Sequence, residues 1–362
     1  MGKWALLMFL GSIIFGVKLF RKYHWSLAVL FVYMCGSAIY TFHWPYNTYQ
    51  SQGLFSKVML AQLSVLALIS IIFISILLAE LDLKDIMTLE SFFVLLVLVN
   101  SVVVIYQWIN GNPFHRRGGL FDNIGMNGIL MAFTYPLLID SNLLKKSGIG
   151  YIIALLLPII AILCTKSSVP VGVVIIGIMV YLIFKFKNII LKISIPTLIG
   201  IIILLTAYIT NKKDLFDDSQ RFGLYKIQYN EWVKSEKILF GHGLGTYPFF
   251  GLQNQIKNQY MVKGQGQKVT GEYAMWLHND WLQLLLETGV IGFILFVVAA
   301  FFSIYYALLN PKLIACLLSY MSSMLFYYPN HFAIHAFFGC WLIAYIFLKH
   351  NYVNERMNWR EI

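Results

Sequence analysis

Apolar runs of roughly 17 to 25 residues recur along nearly the whole chain, long enough to cross a bilayer as α-helix. They predict about eleven spans, near residues 4–20, 25–42, 58–79, 90–109, 124–139, 149–164, 169–185, 189–209, 289–308, 312–328 and 332–348. One connection is long and polar, residues 210–280. Within it Phe222, Tyr225, Ile227, Tyr229 and Trp232 alternate with charges at roughly helical spacing. That spacing predicts an amphipathic helix lying on the membrane surface or capping the bundle. Gly241-His242-Gly243-Leu244-Gly245-Thr246-Tyr247 follows as a glycine-rich turn. The chain thus reads as an all-α polytopic membrane protein, a single integral membrane domain over residues 1–362. The 210–280 loop is inserted between its spans, and a loop of that length is more often functional than structureless.

Composition agrees. The chain is 59% hydrophobic and 12% charged, against about 25% charged in a soluble domain. The first apolar run has Arg21-Lys22 after it and lacks the charge order of a cleaved signal, so it reads as a retained span. Cys35, Cys164, Cys316 and Cys340 fall in or beside apolar runs and form no Cys-x-x-Cys pair, so they read as small packing residues. The net charge of +11 reads as topology signal and lipid-headgroup contact, and no soluble basic domain offers a nucleic-acid site.

The positive charges assign sides. Arg21-Lys22, Lys145-Lys146, Lys185 with Lys187, Lys312, and the tail with Lys349, Arg356 and Arg360 fall on alternate connections and should be cytoplasmic. The loops near 43–57, 110–123, 165–168, 210–280 and 329–331 should be external, which puts the N-terminus outside and makes Gln255 an externally labelled position. Arg116 and Arg117 break the rule in a short external loop, either to bind an anion or to touch lipid phosphate.

The residues with chemistry cluster at the end of the long loop. Leu277-His278-Asn279-Asp280-Trp281 leads into Glu287-Thr288-Gly289 and a span. An imidazole can take a proton from a hydroxyl near neutrality, so His278 is the candidate base. On the bland alternative Asn279 or Asp280 only caps the helix beginning at Trp281. Asp280 either orients the imidazole or favours the positive helix end. Arg221 either grips phosphate with two parallel hydrogen bonds or pairs with Asp217 or Asp218. Lys166, in Thr165-Lys166-Ser167-Ser168, either points into a headgroup cavity or snorkels. Polar and small residues from Phe121 to Gly128 either line a cavity or form a cap and a close helix contact. His43, His115, His242, His331 and His335 lack metal-ligand spacing. There is no Asp-x-Asp, no Walker A loop and no acid in residues 43–57.

His-Asn-Asp-x-Leu-Gln-x-x-x-Glu-x-Gly-x-x-Gly, preceded by Gly-x-Gly-x-Gly and an Arg-led helix, resembles the O-antigen ligase-like superfamily. That group includes O-antigen ligases, O-antigen and capsule polymerases, and bacterial O-oligosaccharyltransferases. The match is strongest from Arg221 to about Phe296, and Gly119-Leu120-Phe121-Asp122-Asn123 is similar to a weaker family pattern. The resemblance implies metal-independent, inverting transfer of a glycan from an undecaprenyl-diphosphate carrier at the outer (periplasmic) face of the bacterial cytoplasmic membrane. His278 and Arg221 match the family's histidine and large-loop arginine, which makes them the expected catalytic pair. Lys166, Arg116, Arg117, Asn279 and Asp280 are the expected contacts to diphosphate or glycan. Where many relatives have Ser-Arg this chain has Thr165-Lys166, so Arg116 or Arg117 is the alternative second cation. No cofactor or metal is expected. The expected partners are the lipid-linked donor, a glycan or lipid A–core acceptor, membrane lipid and a chain-length regulator. A polysaccharide polymerase is the first expectation. An O-antigen ligase, a protein O-oligosaccharyltransferase and a lipid-linked glycan transporter are the alternatives.

Overall fold

In the computed structural model, residues 25–42, 82–111, 119–120, 123–186, 219–259, 262–263, 271–272, 277–327 and 333–358 are described. The elements are α1 (Trp25–Phe42), α2 (Leu83–Ile109), α3 (Ile124–Ile139), α4 (Asn142–Lys145), α5 (Ile149–Cys164), α6 (Ser168–Lys185), α7 (Ser219–Val233), α8 (Tyr247–Lys257), β1 (Val262–Lys263), β2 (Gly271–Glu272), α9 (Asp280–Ala307), α10 (Pro311–Phe326) and α11 (Ala333–Asn358). The two short strands pair antiparallel. α2, α6 and α9 are long and apolar enough to cross a membrane, and α3, α5 and α10 are shorter apolar helices. The expected spans near 4–20, 58–79 and 189–209 lie outside the described residues, as do Arg116 and Arg117.

The chain divides into two compact units. One comprises Leu81–Asp217 and Ser303–Ile362. In it α10 packs on α6 and α3, and α5 packs on α2 and α3. Aromatic rings fill the centre: Phe93, Phe338 and Trp341 stand within 5.3 Å of one another, centroid to centroid. The charges expected on the cytoplasmic side gather at one end. Asp140 pairs with Lys145 and, at 4.0 Å, with Lys185, while Lys312 meets Glu90 at 2.5 Å.

The turn carrying Gly119 is tied to α2. Gly119 N–H donates to Gln107 Oε1 at 2.9 Å and Leu120 N–H to Asn100 Oδ1 at 2.9 Å. Asn123 caps α3 by accepting from Met126 N–H at 3.0 Å. Gly125 and Gly128 admit Tyr327 and Pro170 against the helix, so this stretch has the cap and the close contact of the bland reading. His335 is buried with Nε2 2.8 Å from the Met126 carbonyl, where it bridges two helices.

The other unit comprises Met1–Glu80 and Asp218–Phe302. Its core is Leu224, Trp232, Tyr247, Phe250, Leu277 and Leu286, with Tyr225, Ile238, Leu282, Leu285 and Val290 around them. α7 and α8 are also joined by polar ties: Gln228 Nε2 donates to the Gly251 carbonyl at 2.8 Å, and Asn254 Nδ2 donates to Gln228 Oε1 at 2.8 Å. Gln255 departs from expectation. It is fully buried and donates to the Gly251 carbonyl at 3.1 Å, because a helical turn places it on the face of α8 turned inward. Lys257, two residues on, is exposed. A Lys257→Cys protein is therefore expected to react with a membrane-impermeant thiol reagent in spheroplasts. Labelling only after lysis would reverse the side assigned to this segment.

Candidate functional site

The site is built around a break in α9. Gly289 has φ 69°, a left-handed conformation, and interrupts the helix there. Two intrahelical bonds are lost at such a break, and four bonds to the segment before α8 replace them. The freed carbonyls of Leu286 and Glu287 accept from His242 N–H at 3.1 Å and Gly243 N–H at 2.7 Å. The freed N–H groups of Val290 and Ile291 donate to the carbonyls of Ile238 and Leu239 at 2.9 and 3.2 Å. Gly241, at φ 72°, crosses Gly289 so closely that a Cβ on either would collide with the other's backbone. Gly292, one turn later, leaves room for the Tyr33 ring of α1. The Tyr33 hydroxyl donates to the Thr288 carbonyl at 2.5 Å.

Glu287 completes the fastening. Its carboxylate is 2% exposed and accepts from Gly245 N–H at 2.9 Å, Tyr247 N–H at 3.0 Å and Gln283 Nε2 at 3.0 Å. Tyr247 opens α8, so the carboxylate also sits at the positive end of that helix. A glycine-rich loop running into a helix commonly presents its N–H groups to phosphate. Here those groups are already used. His242 and Gly243 donate to α9, Leu244 to Ser37 Oγ at 3.1 Å, Gly245 and Tyr247 to Glu287, and Thr246 to the Gly243 carbonyl at 3.3 Å. The loop is a clasp whose N–H groups from His242 to Tyr247 are taken up within the chain.

His278 lies directly before α9 with φ 57°, in the left-handed region that few non-glycine residues adopt. Three contacts hold the chain there. Tyr225 of α7 donates its hydroxyl to the His278 carbonyl at 3.1 Å. Leu277 N–H donates to Gln283 Oε1 at 3.3 Å, and Asn279 Oδ1 accepts from Leu282 N–H at 2.9 Å. Asn279 is therefore the helix cap, and Asp280 is buried in the first turn. Gln283 joins the two halves of the site: its oxygen holds the residue before His278 and its amide nitrogen holds Glu287.

Burial, and then the charge of Arg221, pushes the His278 imidazole from its ordinary 6.5 down to about 4. Arg221 is half-buried in the first turn of α7, close enough for its guanidinium to oppose a second positive charge on the imidazole. Both effects favour the neutral imidazole, and both make it a weaker base than a free one, so proton uptake there needs a nearby negative charge. His242 is a second neutral imidazole, also lowered to about 4, by burial and then by Lys237. It stacks on Phe250 with ring centroids 4.1 Å apart, which is packing rather than chemistry.

Both histidines have pKa values below that of an unfolded chain, so unfolding takes up protons between pH 6.5 and about 4. Their stabilising contribution is complete above that window and is lost as pH falls through it. Thermal unfolding of the purified protein should therefore weaken from pH 6.5 towards 4, and less steeply in His242→Phe. A pH-independent difference between the two proteins in that window would contradict the burial-driven shift.

The sequence-predicted residues thus divide. His278, Arg221, Asn279 and Asp280 share one unit. Lys166 belongs to the other, exposed in the turn between α5 and α6 at φ 53°. Glu287, Gln283, Tyr225, Tyr33 and Ser37 carry roles not expected from the sequence. Glu287 and Gln283 stand one helical turn apart in the quoted motif, which was the available signal. Tyr33 and Ser37 gave none.

Residues 153–297 match the family model described as O-Antigen ligase. This match supports an O-antigen ligase-like superfamily for that segment. It runs from α5 into α9 and contains Lys166, Arg221, the glycine clasp and His278. No curated protein matches the chain. The match covers less than half of the chain and, for that segment, indicates glycosyltransferase activity of the O-antigen ligase or polymerase type.

Proposed function

We propose that the protein is a polysaccharide polymerase that transfers a growing glycan from undecaprenyl diphosphate to a sugar hydroxyl of another lipid-linked repeat unit, on the external face of the membrane. The observation that supports the transfer chemistry is His278 held at φ 57° before α9 by Tyr225, with Arg221 near enough to act on its imidazole, inside the matched segment. Diphosphate is a good leaving group whose developing charge a guanidinium stabilises, and one base is enough to activate the acceptor hydroxyl. No metal is needed in this scheme, and attack opposite the leaving group inverts the anomeric carbon. The modest length of the external segment favours a polymerase. The family description keeps an O-antigen ligase as the second reading. A deletion strain separates them: single-repeat chains on lipid A–core identify a polymerase, and polymer left on the carrier identifies a ligase.

The cations offer a second test. If Arg221 grips diphosphate with a fork of hydrogen bonds, Arg221→Lys keeps the charge, loses the fork and should lower turnover strongly. Lys166 acts as a point charge, so Lys166→Arg should be tolerated and Lys166→Ala should not. If Arg116→Ala or Arg117→Ala is as damaging as Lys166→Ala, the short external loop shares the diphosphate. A fully active Arg221→Ala protein would contradict the electrostatic scheme.

The pH profile tests the base. Bound diphosphate brings negative charge that favours the imidazolium, opposing the effect of burial and Arg221. The acid limb of kcat should therefore lie at higher pH than that of kcat/KM, which reports the free enzyme. Coincident limbs, or an unchanged profile in an active His278 variant, would remove His278 from the reaction.

A further inference from the structure

The outward side of α7 and the turn behind it form an apolar surface left uncovered by the core. Phe222 is 65% exposed, and Tyr229 and Val233 are also exposed. At about 100° per residue these three fall within about 40° of one another around the helix. Lys226 lies on the same face and is exposed. Leu224, Gln228 and Trp232, turned away from that ridge, are buried. Beyond α7, Leu239 is 57% and Phe240 63% exposed. Their position is fixed by the bonds from Val290 and Ile291 N–H to the carbonyls of Ile238 and Leu239. Val290 and Ile291 begin the apolar run of α9, whose outward residues Ile294, Val297 and Phe301 are exposed as well. The exposed turn therefore stands beside the start of a membrane-spanning surface and continues it.

We infer that α7 and the turn at Leu239 and Phe240 form an interfacial anchor seated in the adjacent leaflet of the bilayer. Leu239 and Phe240 reach the acyl chains, and the ridge of Phe222, Tyr229 and Val233 lies at the headgroup boundary. The occupant of this surface is lipid, for two reasons. It is continuous with the apolar outside of α9, and Lys226 interrupts it where a stem can lie along apolar surface while its ammonium meets lipid phosphate. Arg221 precedes Phe222, so the anchor holds the guanidinium near headgroup height, where a lipid diphosphate presents its charge. That last consequence rests on the proposed transferase reading; the anchor does not.

The test uses the full-length protein in nanodiscs of phosphatidylethanolamine and phosphatidylglycerol. A nitroxide is attached through Phe222→Cys, Tyr229→Cys, Phe240→Cys or, as a polar-turn control, Asn258→Cys. The unsubstituted protein is the labelling blank. Dissolved oxygen should relax the spin more than a water-soluble nickel chelate at 222, 229 and 240, with the largest ratio at 240 and the reverse order at 258. A nickel-dominated signal at 240 would place the turn in water and overturn the inference. Exclusion of both relaxants at 240 would mean that protein covers it, and would overturn it equally. Because the readout does not involve turnover, failure of the transferase reading leaves its result unchanged.

Discussion

His278→Asn is expected to lower glycan transfer by about 10²- to 10⁴-fold while leaving the protein folded and inserted. Asparagine is the informative replacement because it adopts positive φ more readily than most residues, and His278 sits at φ 57°. Its amide keeps the polar bulk but cannot take a proton near neutrality. Tyr225, Gln283 and Asn279 hold this backbone through main-chain groups and a cap, none of which needs the imidazole. Single-turnover assays with purified protein and lipid-linked donor measure the loss, and thermal unfolding checks that structure is kept. Near-normal turnover in the asparagine protein would end the base assignment.

Glu287→Leu is expected to have a still broader effect, on both stability and activity. It strands the Tyr247 N–H and the Gln283 amide in buried positions and the Gly245 N–H in a partly buried one. Each stranded group costs about 1–3 kcal/mol, so the clasp should open before the rest of the protein unfolds. Glu287→Gln retains one acceptor oxygen but turns an NH2 towards a donor, and should fall between wild type and leucine. Limited proteolysis across 237–247 and the unfolding midpoint measure this order. Equal stability of the leucine and wild-type proteins would show that the carboxylate is not what fastens the loop.

Much of this was legible in the residues. Apolar run length located α1, α3, α5, α6 and α10 closely as apolar helices, of which α6 is long enough to cross a membrane. The helix containing Arg221 followed from its spacing, and the cap at Asn279 was one of two open alternatives. The meaning of the glycines was not legible. Gly-x-Gly-x-Gly looks the same whether its N–H groups face a phosphate or a carboxylate of the same chain, and only the position of Glu287 decides. Gln255 was misplaced because periodicity over so short a helix as α8 does not say which face turns inward. Tyr33 and Ser37 were invisible because they act more than two hundred residues away in sequence.

That distance has a consequence for biosynthesis. α1 is made well before the Thr288 carbonyl and the Leu244 N–H that it engages. Residues 81–217, which belong to the other unit, are synthesised in between. The clasp itself joins partners about fifty residues apart and can close as soon as α9 leaves the ribosome. The seam with α1 must wait until the nascent chain returns to Tyr33 and Ser37.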